Sequence, residues 1–219
     1  MSVEGALRHR LNPTDYLIET FRYEPDEGFL RLDRHLERLK RSADMLGFRY
    51  DDAAINLVLS ELLHDRDPLR VRLTLDREGN LETTTQRFFP LAKDTIWTLH
   101  LAATKLPSHD PLLAHKTSRR TLYETARAEF AAHEAQEVLL CNERGELCEG
   151  TITNLFVDEG DGRLATPPLD CGLLGGVLRA ELLQSGRAVE RVLFPHDLQN
   201  NRIYVGNSLR GLIAARFSA

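Results

Sequence analysis

Cysteine is scarce in this chain: three residues among 219, Cys141, Cys148 and Cys171. They cannot all pair, and none stands in a C-x-x-C or Cys/His arrangement with metal-ligand spacing, which argues against a disulfide framework and a structural zinc. Long apolar runs are missing too. None approaches the roughly 18 residues that span a bilayer, and M-S-V-E-G-A-L-R-H-R lacks the apolar core of a signal peptide, so a cytoplasmic protein is expected. No charge dominates, because 28 basic and 33 acidic residues are well mixed and leave a net charge of -5. That balance offers no basic face to nucleic acid or anionic lipid and makes a small molecule the default partner. Internal repeats and low-complexity stretches are absent, and the eight histidines are scattered, each reading as a surface or packing residue. What the chain does have is length and 42% hydrophobic residues, enough for one large domain or two small ones.

Along the first half, Tyr16 to Tyr23 and Phe29 to Leu32 are strand-like runs on either side of E-P-D-E-G, a hairpin signal. A helix follows, with Leu36, Leu39, Ala43 and Leu46 at helical spacing, Asp33 as its cap and Gly47 as its end. Leu57 to Leu63 suggests a second helix. Val71, Leu73 and Leu75 alternate with polar residues, and Leu81 to Phe89 and Ile96 to Leu101 extend the strand pattern, so a mostly antiparallel sheet with helices beside it is expected. The stretch from Ala103 to Pro111, with two prolines among polar residues, reads as a linker and divides the chain into residues 1–104 and 105–219. Beyond it come a helix from Ser118 to about Glu134, with Leu122, Tyr123, Ala126 and Phe130 on one side, and strands at Val138 to Cys141, Ile152 to Val157 and Ile203 to Val205. One more helix starts after Gly176.

Four segments carry residue types that a phosphorylated pyridine aldehyde requires. In H-K-T-S-R-R (115–120), Lys116 offers an amine able to form an imine, and Arg119 and Arg120 would favour its neutral form by crowding; in isolation this is equally a solvated basic helix start. In C-E-G-T-I-T-N-L-F (148–156), Glu149 offers a carboxylate to a pyridine nitrogen, or is simply a turn residue. In G-L-L-G-G-V-L-R (172–179), the backbone N–H groups of Val177 and Leu178 open a helix and suit a phosphate; a glycine turn before a helix looks the same. In V-G-N-S-L-R-G (205–211), Asn207 and Ser208 offer donors just after a strand. Arg38 in R-L-D-R-H-L-E-R-L lies off the apolar stripe of its helix, and its guanidinium suits a phosphate dianion or solvent.

In this order, from about Leu17 to Ala215, the five motifs resemble the class IV pyridoxal phosphate enzymes, which include branched-chain aminotransferases, D-amino acid aminotransferases and 4-amino-4-deoxychorismate lyases. The resemblance implies an α+β chain of fold type IV, like D-amino acid aminotransferase, with two lobes and the cofactor in the cleft between them, the lysine in the C-terminal lobe, and a homodimer whose partner loop reaches the site. It implies pyridoxal 5'-phosphate as cofactor, Lys116 as the imine lysine, Glu149 as the partner of the pyridine nitrogen and Arg38 as a phosphate ligand. Further phosphate contacts are implied from the Val177 and Leu178 backbone and from Asn207 and Ser208.

Within that family L-I-E-T-F-R-Y, H-K-T-S-R-R and V-G-N-S-L-R-G most resemble the lyase domain often fused behind aminodeoxychorismate synthase. The implied reaction releases 4-aminobenzoate and pyruvate toward folate, with a separate synthase as a further partner. The alternative is an aminotransferase acting on branched-chain or D-amino acids, and a third reading is a binding module that kept the fold alone. A substrate with two carboxylates makes Arg120, Arg210 and Lys105 candidate ligands, and no metal is called for. Three departures stand out. The amino-terminal strand and G-D-G-x-F-E turn of the aminotransferases are replaced by Asn12 to Ile18, Leu178 stands where threonine is usual, and Glu19 stands where some lyases carry threonine.

Overall fold

The computed structural model describes residues 7–218 except 64, 159, 161 and 200. These fall into two compact units, one made of the described residues up to Pro90 together with His115–Arg119, the other of Leu91–Ala114 and the described residues from Arg120 onward.

The first unit is built on strand β1 (Leu17–Glu24), which turns through E-P-D-E-G into the short β2 (Gly28–Phe29), with Tyr23 opposite Phe29. Helix α1 (Leu32–Leu46) follows. Its N-cap is Arg31 in the left-handed region at φ 59°, not Asp33, which lies inside the first turn where a negative charge suits the helix dipole. Gly47, at φ 77°, ends it, as only glycine does cheaply. Helix α2 spans Asp52–Ser60, ahead of the segment expected, because the Asp51 carboxylate caps the Ala53 and Ala54 amides. Strands β3 (Leu69–Leu75) and β4 (Leu81–Arg87) complete an antiparallel sheet in the order β2-β1-β3-β4. Phe21, Tyr23, Val71 and Leu73 of the sheet and Leu39, Ala43, Leu46 and Ile55 of the two helices are buried.

The second unit is an eight-stranded sheet in the order β10-β9-β8-β11-β12-β5-β6-β7. β5 (Ile96–Leu106), expected to extend the antiparallel sheet of the first half, instead runs parallel to β6 (Glu137–Asn142) and to β12 (Gly211–Phe217). It includes Ala103–Leu106, the start of the stretch read as a linker. β7 (Leu147–Gly150) also pairs with β8 (Asn154–Asp158), which closes β8-β11-β12-β5-β6-β7 into a ring, where β11 is Arg202–Asn207. The short β9 (Leu164–Thr166) and β10 (Ala188–Glu190) lie outside that ring.

One core of Trp97, Leu99, Leu139, Cys141, Leu147, Leu155, Val157 and Val205 packs together. The alternate residues Val138 and Leu140 pack with Tyr123 and Ala126 of α3 (Thr121–Ala128), so β6 is buried throughout, and its apolar run from Val138 to Cys141 follows from both its faces being covered. Helix α3 is shorter than the periodicity suggests. It stops at Glu129, whose carboxylate takes the Ala103 and Thr104 amides where the β5–β6 register slips. Helix α4 (Val177–Gln184) packs through Leu178 and Leu182 on Phe156.

Candidate active site

In the first unit the alternation of β1 turns Glu19 to the same buried face as Phe21 and Tyr23. It meets α1 there. The buried stripe of α1 is His35, Arg38, Leu39, Ser42, Ala43 and Leu46, so Arg38 lies on the stripe and not off it; counting only apolar residues hides a stripe half of which is polar. Glu19 Oε1 accepts from Arg38 Nε at 2.8 Å, and Oε2 accepts from Arg38 NH2 at 2.6 Å and lies 2.6 Å from His35 Nδ1. Burial alone would push the Glu19 carboxyl up, but the positive Arg38 and the hydrogen bonds from His35 and Arg38 outweigh it and hold it down to about 2. His35 is pushed below its ordinary 6.5, first by burial, with Glu19 opposing and the charges of Arg38 and Lys116 acting in the same direction as burial.

Lys116, half-buried, belongs to this unit through its backbone. Its carbonyl accepts from Ile18 N at 2.8 Å, Ser118 N donates to Tyr16 O at 2.9 Å, and Leu17 bridges Thr117. Asn12 to Ile18 therefore fixes the lysine segment: the Ser118 hydroxyl donates to Asp15 at 3.0 Å and accepts from Tyr16 N. On the other side of Lys116, His115 Nδ1 sits 2.9 Å from the Ser42 hydroxyl of α1. The two arginines expected to crowd Lys116 have anchors of their own, Arg119 on the Arg10 carbonyl and Arg120 on the Thr151 carbonyl.

In the second unit Glu149, at 5% exposure, stands opposite Asn154 across β7 and β8. Its Oε1 accepts from the Tyr123 hydroxyl at 2.7 Å and from Leu174 N at 3.0 Å, and its Oε2 from Asn154 Nδ2 at 3.4 Å. The same Asn154 amide donates to Leu174 O at 2.9 Å, tying the acid to the segment that enters α4. The loop 151–153 between the strands is held by Glu137, which is fully buried. Its carboxylate accepts from the Val138, Thr151 and Ile152 amides and from the hydroxyls of Thr151 and Thr153, at 2.5 to 3.1 Å.

Helix α4 begins at Gly176, which is extended and gives the helix no side-chain cap. A Cβ at Gly176 would run into Asn154 Oδ1, so the turn into α4 accepts nothing larger than glycine while Asn154 stays in place. The first N–H groups of the helix, those of Val177 and Leu178, are a donor set for an anion. Asn207 donates to Ile152 O at 3.2 Å and accepts from Arg210 N at 3.0 Å, and Ser208 beside it is buried. Of the candidate carboxylate ligands, Arg120 stacks 4.7 Å over Tyr123, Arg210 lies 5.9 Å over Trp97, and Lys105 stands beside Glu129 and Cys141.

Sequence reasoning missed Tyr123, read only as an apolar helix position, and Glu137, which precedes a strand without any motif. Asn154 was inside a quoted motif but had no role; its place directly across the hairpin from Glu149 was the available signal.

The second unit's donor set suits a phosphorylated pyridine: a helix start without a side-chain cap, a glycine there that packing enforces, and a buried carboxylate held by a phenol and an amide. Such an arrangement on a mixed sheet with helices defines a cofactor-dependent enzyme of the α+β class. The chain belongs to the amino-transferase class IV family, whose model matches residues 16–216, and enzymes of this family depend on pyridoxal phosphate. It is 34% identical, over 89% of its length and 86% of the relative's, to a Schizosaccharomyces pombe protein named "Putative aminodeoxychorismate lyase". It is 55% identical to a solved "Putative amino-acid aminotransferase" of Mesorhizobium loti, with a TM-score of 0.91 over 93% of this chain and 100% of that one. The 4-amino-4-deoxychorismate lyase of Pseudomonas aeruginosa, at 23% identity and a TM-score of 0.77 over 93% and 83% of the two chains, shares the fold. No helix among the described residues is long and apolar enough to cross a membrane.

Proposed function

We propose that this chain is a pyridoxal-phosphate-dependent 4-amino-4-deoxychorismate lyase that releases 4-aminobenzoate and pyruvate, a cytoplasmic step toward folate. The observation that carries the reading is the likeness to the S. pombe relative across 89% of the chain, which adds a reaction to the family match. The bound cofactor supplies an electron sink for the pair left when a proton leaves the substrate carbon next to nitrogen. Lys116 Nζ supplies the amine for the cofactor aldehyde. Lys116 Nζ would be the base that takes the proton from that carbon and returns it to the methylene carbon of the departing enolpyruvyl group. Glu149 holds the proton of the pyridine nitrogen. Arg38, the Val177 and Leu178 amides, Asn207 and Ser208 bind the phosphate, and Arg120, Arg210 and Lys105 are the candidates for the substrate carboxylates. A homodimer, and a separate synthase that supplies the substrate, belong to the same reading.

An aminotransferase acting on branched-chain or D-amino acids is the second reading, favoured by the 55% identity to the M. loti protein. It uses the same cofactor residues. The experiment that separates the two is incubation of cofactor-loaded protein with freshly made aminodeoxychorismate. Equal release of 4-aminobenzoate and pyruvate, lost in Lys116→Ala, is the expected result. Absence of both products, together with lasting bleaching of the cofactor colour by an amino acid donor, would replace the lyase with the aminotransferase.

A further inference from the structure

We propose that Tyr123 is a positioning residue for the reaction, its phenol fixing the Glu149 carboxylate so that it is aimed at the pyridine nitrogen. This rests on the assignment of Glu149 made above. The 2.7 Å bond from the Tyr123 hydroxyl and the 3.0 Å bond from Leu174 N converge on Oε1, while Oε2 takes the longer 3.4 Å bond from Asn154 Nδ2, so Oε1 is the anchor of the carboxylate. A carboxylate at 5% exposure loses most of its hydration, and the charge-assisted bonds from the phenol and the amide offset that loss, the shorter one coming from the phenol.

The phenol is itself fixed. Arg120 lies 4.7 Å over its ring and is tied to the Thr151 carbonyl, while the Thr151 amide and hydroxyl are held by Glu137. The phenol also stays a donor, because burial, and then the neighbouring Glu149 charge, push its ionisation well above 10. Leu174 N, the other donor on Oε1, belongs to the segment leading into α4. One oxygen thus links the residue for the ring nitrogen to the segment ending in the phosphate donors of Val177 and Leu178.

The test is a double-mutant cycle on cofactor affinity, with no turnover involved. The dissociation constant of pyridoxal 5'-phosphate is measured by equilibrium titration for wild type, Tyr123→Phe, Glu149→Gln and the double variant. Loss of the phenol should weaken binding about tenfold when Glu149 is present, and by no more than about twofold in the Glu149→Gln background. An equal loss in both backgrounds, or none with Glu149 present, overturns the role of Tyr123. If Glu149→Gln binds the cofactor as tightly as wild type, the assignment of Glu149 falls and Tyr123 falls with it, a result distinct from failure of Tyr123 alone. Should Tyr123→Phe not fold, 3-fluorotyrosine placed at 123 keeps the shape and strengthens the donor. Its cofactor affinity should rise, and an unchanged or lower affinity overturns the proposal.

Discussion

Glu19 and Arg38 form a two-point ion pair in the interior of the first unit, with oxygen to nitrogen distances of 2.8 and 2.6 Å. Removing the carboxylate by Glu19→Ala takes a two-point partner from a buried guanidinium, which should lower stability by about 3–5 kcal/mol. Urea unfolding measures this, and a loss below about 1 kcal/mol would show that the pair holds nothing. The pH dependence follows in sign. Glu19 is held at about 2, below its ordinary 4.5, so its contribution is present above 4.5 and is lost as pH falls toward 2. His35, also lowered from 6.5, acts in the same direction at higher pH. Stability should therefore fall on the acid side of neutrality, and Glu19→Gln should flatten the part of the fall below pH 4.5.

Glu137 serves the site indirectly, by satisfying three amides and two hydroxyls around the loop that carries Thr151 to Thr153. Glu137→Ala removes the acceptor shared by these donors, of which Thr151 N keeps the Val138 carbonyl, and should cost about 3 kcal/mol. Gly150→Ala should act on the same place, because its Cβ would stand 2.6 Å from Thr153 Oγ1 and 2.7 Å from the Glu137 carboxylate. Thermal melting of the cofactor-free proteins checks both. Midpoints equal to wild type would mean that the loop reorganises without cost.

All three cysteines are buried and unpaired with each other. Burial raises each thiol, Cys171 to about 12 and Cys148 further still, so the reactive thiolate is suppressed. A thiol reagent at mildly alkaline pH should modify none of them until the protein is unfolded, and then all three. Rapid modification of the native protein would contradict this.

Much of the fold was legible where one side of an element is dry and the other wet. Val71, Leu73 and Leu75 read correctly as β3 because Arg70, Arg72 and Thr74 between them face outward. Sheet membership was not legible: β5 pairs with strands about 40 and 115 residues further on, and local alternation is the same in either sheet. The motifs singled out Lys116, Glu149 and Gly176, because glycines and polar clusters interrupt the pattern there. Tyr123 and Glu137 escaped, and Arg38 was placed on the wrong side of its helix, for a shared reason. Each is a polar group in an apolar setting whose partner is distant in sequence, and the partner, not the residue, decides whether burial is tolerable.

The bridge between Leu17 and Thr117, with Tyr16 on Ser118 across 102 positions, sets the order in which the molecule can be assembled. The chain leaves the first unit after Pro90, contributes β5 to the second, returns for His115–Arg119 and departs again. A ribosome that has released only residues up to Ala114 has exposed every strand of the first sheet, yet not the segment that carries Lys116. No single cut of the polypeptide would yield the two units as independent pieces, and closing a loop of about 100 residues slows folding even though its entropic cost grows only with the logarithm of its length. Seating of the Lys116 segment against β1 is thus a late event in synthesis.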